Sequence, residues 1–100
     1  MTQQAITLQA EGWFKIDPND RYNFVGDTER NPKGYAHAAI YVGTGGDLVL
    51  VSKCGEREVF KNVPDGTFFP ADCVRVHATG TTASNILGVI QSTELPVKIR

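Results

Sequence analysis

Residues Ala39 to Ile90 read AIYVGTGGDLVLVSKCGEREVFKNVPDGTFFPADCVRVHATGTTASNILGVI, and this stretch decides the fold. Short runs of Val, Ile, Leu, Phe and Tyr alternate with breaks built from Gly, Pro, Asp, Asn and Thr. Runs of that length between turn residues are strands, and their spacing predicts a small antiparallel β-sandwich or barrel of about six or seven short strands. The fold class is therefore all-β.

Within the stretch, Tyr35–Val42 (YAHAAIYV) opens the regular pattern. Ala36, Ala38, Ile40 and Val42 share one face of a strand, and Tyr35, His37, Ala39 and Tyr41 share the other. Gly43-Thr44-Gly45-Gly46-Asp47 reads as a primed hairpin turn, because glycine supplies the positive φ such turns need. Leu48-Val49-Leu50-Val51 is apolar at both parities, so both of its faces need cover. The N-terminal segment or another subunit would supply the outer cover. Arg57–Val63 is the next strand, and Pro64-Asp65-Gly66 turns the chain. Thr67–Pro70 closes that turn with two aromatic plugs. Asp72–Ala78 and Ala83–Gln91 complete the set, with Gly88 marking a bulge.

Outward from this core, the chain divides into an N-terminal arm and loop (1–34), a β core (35–91) and a C-terminal tail (92–100) of one domain. Trp13 and Phe14 are adjacent, so a strand sends them to opposite faces. One is buried in the monomer. The other is covered either by the N-terminal segment or by a neighbouring chain, since Trp and Phe are enriched at contacts. The candidate contact residues are Trp13, Phe14, Leu48 and Leu50. Phe24–Gly34 is the longest loop-like segment and the best placed for an excursion from the core. The tail contains Pro96 and an alternating VKI, suited to pairing on a partner or adding an edge.

Composition removes several function classes. Hydrophobic residues make up 41% and charged ones 21%, with a net charge of −1. No basic surplus exists to attract a polyphosphate backbone, so no nucleic acid is expected as a partner. Near-neutral charge leaves little repulsion to oppose self-association. The first residues lack the charged and apolar regions of a signal peptide, and no run approaches a membrane span. Cys54 and Cys73 are then expected as free thiols. Cys73 and His77 are four residues apart, about 13 Å along a strand, too far to share a zinc ion. Asp17-Pro18-Asn19-Asp20 is a turn without the alternate carboxylates and distant Glu of a calcium loop. A strand, not a helix, follows the glycines at 43–46, which argues against a phosphate cradle. His37 and His77 have no nucleophile motif nearby. No enzyme activity, metal or cofactor is expected. A glycan- or nucleic-acid-binding β module is the alternative from another class.

Three segments carry a resemblance. They are Ile40–Leu48 (IYVGTGGDL), Phe60–Thr67 (FKNVPDGT) and Val74–Ala83 (VRVHATGTTA). Together, in this order, they resemble a small family of tailed-phage virion proteins that includes the head-spike base protein of gene transfer agents, which are phage-like particles. The resemblance implies a non-enzymatic structural protein of the virion, assembled in the host bacterial cytoplasm. It implies a homo-oligomeric base or cement unit contacting other virion proteins: capsid, portal or tail, and spike or fibre. A place in the tail or baseplate is the neighbouring alternative, because Trp13–Gly34 is elaborated relative to the shorter pattern. No catalytic residues are carried over by it.

Overall fold

Glycine and proline punctuation divides the chain into seven strands, seen in a computed structural model that describes residues 7–94, with side chains described for residues 12–70 and 72–90. They are β1 (Thr7–Ile16), β2 (Ala38–Thr44), β3 (Gly46–Val51), β4 (Arg57–Val63), β5 (Thr67–Cys73), β6 (Arg75–His77) and β7 (Ser84–Glu94). A single 3₁₀ turn, Phe24–Gly26, lies between β1 and β2. Sheet A has the order β1-β7-β2-β5 and sheet B the order β4-β3-β6, and the strand pairs are antiparallel. The all-β expectation holds.

The two inner faces supply the core. Phe14 and Ile16 of β1, Ala38, Ile40 and Val42 of β2, and Ile86 of β7 meet Leu48 and Leu50 of β3 and Val76 of β6. Ile40, Leu48, Ile86, Val42 and Val76 are fully buried. Each such side chain contributes about 1.5–3 kcal/mol relative to an exposed one. Gly88 does not form a bulge. It sits in register opposite Phe14 and Ile40, and a Cβ there would lie 2.7 Å from the Phe14 ring, so the glycine makes room for that ring. The irregularity falls instead in β1, between Ala10 and Gly12.

The glycine-rich segment 43–47 is not a hairpin. β2 belongs to sheet A and β3 to sheet B, so the turn passes the chain from one sheet to the other. The Pro64-Asp65-Gly66 turn does the same between β4 and β5. Thr67–Pro70, rather than merely closing a turn, is the first half of β5. The outer cover of Leu48–Val51 comes from the chain itself. The Gly80 turn lies over Val49, and the Thr81 hydroxyl accepts from the Val49 N–H at 3.0 Å. His77 and Arg57 lie beside them on the same face, joined by a 3.1 Å contact.

The segment after β1 is no excursion. Phe24 is buried and packs edge-on against Phe14, with ring centroids 5.3 Å apart. Asn31, the buried polar residue of the core region, donates from Nδ2 to the Phe24 and Tyr35 carbonyls and accepts from the Tyr35 N–H. Asn19 N–H and Phe24 N–H donate to the Val76 and Val74 carbonyls, so this segment seals the side of the sandwich where β1 and β6 lie. The opposite side, between β4 and β5, has no such strap among the described residues. Beyond the Ala39–Val89 pair, β7 continues without β2 and, among the described residues, pairs with Gly12 and Thr7–Ala10 of β1, forming a two-stranded arm. The molecule measures 50 × 29 × 23 Å.

Candidate assembly surface

Alternation sends every second residue of sheet A outward, and registration aligns those residues into rows. One row crosses all four strands: Lys15 of β1, Leu87 of β7, Tyr41 of β2 and Phe68 of β5. The row beside it runs Trp13, Val89, Ala39, of which Val89 is half-buried and Ala39 fully buried. Leu87, Tyr41 and Phe68 are 37%, 37% and 43% exposed, and Trp13 is 69% exposed. A shallow depression of about 310 Å³ opens among Lys15, Tyr41, Gly43, Asn85 and Leu87. An apolar face rich in aromatics is the composition of a protein contact rather than of an idle surface.

The four residues singled out from sequence do not act together. Phe14, Leu48 and Leu50 point into the core, 8%, 0% and 8% exposed. Trp13 stands on the outer face of sheet A. The opposite orientation of Trp13 and Phe14 follows from alternation. Sequence reasoning missed Tyr41, Phe68 and Leu87 as companions of Trp13. A signal was present for two of them, because Tyr41 has the parity opposite to Ile40 and Val42, and Phe68 is adjacent to Phe69. Leu87 becomes visible only with the β7 register.

The polar groups form latches. His77 Nδ1 lies 3.0 Å from Asp20 Oδ1 and 3.3 Å from the Thr79 carbonyl, while its Nε2 lies 3.1 Å from Arg57 Nη1. A neutral ring protonated at Nδ1 satisfies both neighbours, donating on one side and accepting from the guanidinium on the other. The Thr79 hydroxyl and N–H both donate to Asp20, at 2.5 and 2.9 Å. These bonds from Thr79 are the largest causes that hold the Asp20 carboxyl below its ordinary 3.8. A second pair joins His37 Nδ1 to Asp72 Oδ2 at 2.5 Å. The cysteines are both free, Cys54 exposed and Cys73 buried, and burial pushes the Cys73 thiol up to about 12. Among the described residues no group of three or more His, Cys, Asp or Glu side chains converges as metal ligands.

No protein-family model and no curated protein matches the chain. Among solved structures, the chain is similar to a chain of the capsid of a native gene transfer agent particle computed with C5 symmetry, with 32% identity and a TM-score of 0.62. The match covers 81% of this chain and 83% of the other.

Proposed function

The chain belongs to the same family as that chain of the gene transfer agent capsid, and from this premise we propose that it is a homo-oligomeric base or cement unit, decorating the capsid or seating a spike or fibre upon it. The coarser role, a structural protein of a phage-like virion, rests on the family itself. The finer one is supported by a single observation, the aromatic row across the outer face of sheet A with Trp13 beside it. Such a face is stabilised by removal from water, at about 25 cal/mol per Å² of apolar surface. A virion supplies many copies and partners to cover it.

The mechanism is burial against a complementary surface. Sheet A is a stiff platform, because its inner side is packed against sheet B. Leu87, Tyr41 and Phe68 are held in register by the ladder, so little conformational entropy is lost when they dock. Purified particles test the reading. The chain should be found by mass spectrometry in particles that have been washed in high salt. Particles assembled without the gene should lack a surface feature seen by electron microscopy. A chain absent from washed particles would refute the proposal.

A further inference from the structure

Resting on the oligomeric reading above, we infer that the open side of the sandwich, between β4 and β5, receives residues 95–100 of a second copy of this chain. The opening is a groove of about 570 Å³. Leu50, Phe60, Phe69 and Cys73 form its floor, and Glu56, Glu58 and Asp72 its rim. Phe60 and Phe69 meet edge-on at 5.2 Å, yet Phe60 stays 37% exposed. Among the described residues β4 is paired only with β3, so its other edge offers backbone groups to an added extended segment. The β5 edge is blunted by Pro70, which has no N–H to donate.

The occupant is identified by complementarity. Residues 95–100 read LPVKIR. In an extended conformation Leu95, Val97 and Ile99 share one side, while Lys98 and Arg100 share the other. The apolar side matches the floor. The two cations match the rim, where Glu56 and Glu58 have no ion-pair partner among the described residues.

The donor must be another molecule. The near end of the groove, Cys73, is level with Ala38, one step beyond the Ala39–Val89 pair, and Glu94 lies about four residues farther along β7. Four residues of strand are about 13 Å, and the groove is also two strands to the side. For Leu95, Val97 and Ile99 all to reach the floor, Leu95 must lie in the groove, yet it is one residue beyond Glu94, a reach of about 3.5 Å. The arm therefore carries a copy's own segment away from its own groove and toward a neighbour's.

The test exchanges charges in the full chain. One variant carries Lys98→Glu and Arg100→Glu, and the other Glu56→Lys and Glu58→Lys. Each alone should self-associate about tenfold or more weakly than the parent by light scattering across a concentration series. An equimolar mixture should recover parental association, because every tail then finds a groove of opposite sign on the other molecule. Circular dichroism checks the fold of both, and if the groove variant misfolds, the tail variant decides alone. Unchanged association of the tail variant, or a mixture of folded variants that fails to recover, overturns the inference. If the parent associates and both variants associate equally well, this docking falls and the virion assembly reading stands. A parent that is monomeric at every concentration and missing from washed particles removes both.

Discussion

At the scale of single residues, Trp13 separates stability from assembly. Its side chain is mostly in water, and surface truncations of that kind move stability by only about 0.5 kcal/mol. A docked tryptophan at the centre of a contact is worth about 2 kcal/mol or more. Trp13→Ala should therefore leave the thermal midpoint nearly unchanged while reducing incorporation into particles by roughly thirtyfold, measured by quantitative mass spectrometry. Equal loss of both would make Trp13 a folding residue instead. The sequence announced this division through two adjacent aromatics on a strand. It was silent on Asp20, whose bonds to Thr79 span 59 positions and form only once the loop after β1 folds against the turn after β6. Because the Asp20 carboxyl titrates below 3.8 when folded, its contribution is complete above that value and disappears as pH falls through the lowered one. Asp20→Ala should accordingly be less stable than the parent at neutral pH, and the gap between their denaturation curves should shrink in acid. A gap that widens in acid would reverse the sign and the assignment.

At the scale of elements, the three sequence segments that carry the family resemblance are one object. Gly45 packs against Val63 and Asp65, and its N–H donates to Asp65 Oδ1 at 2.6 Å. Asp47 accepts from Asn62 N–H at its side chain and from Thr82 and Ala83 N–H groups at its carbonyl. The Gly66 N–H donates to the Val42 carbonyl. The motifs thus converge at one corner, where the chain passes between sheets, and they are kept together by close backbone approach. Their turn residues were legible locally. Their convergence was not, since glycine suits a hairpin and an inter-sheet corner equally, and the choice between them is made by pairings from 15 or more residues away. A Cβ at Gly45 would stand 2.0 Å from the Val63 carbonyl oxygen, with backbone on both sides of the clash. Gly45→Ala should cost about 2–3 kcal/mol, or roughly 10–20 °C in thermal midpoint for a domain of this size. A midpoint within 2–3 °C of the parent would show that the corner yields.

For the whole molecule, strand count and the alternation of apolar residues were readable from composition and spacing. The layering was not, because nothing in a strand's own sequence states which sheet it joins. β2 and β3 are neighbours in the chain and lie in different layers, while β1 and β7 stand at opposite ends of the chain and pair along nearly their full length. Cys73 lies between those layers and Cys54 on an exposed turn, so thiol chemistry reports on the opening of the body as a unit. A thiol reagent should modify one cysteine promptly in the native protein and the second only at the rate of global unfolding, with two modified in denaturant. Two prompt thiols would mean that the β5 side opens on its own.

The pairing of Thr7 with Glu94 has a practical corollary. The polypeptide arrives and departs through the same doorway, its two strands side by side at the end of the arm. A module with that geometry can be spliced into an exposed loop of a carrier protein without prising the loop apart. Alternatively, a short turn can stitch 94 back to 7, with a new opening cut at the Lys53–Gly55 turn, to make a circular permutant that keeps every strand and parts with both tails.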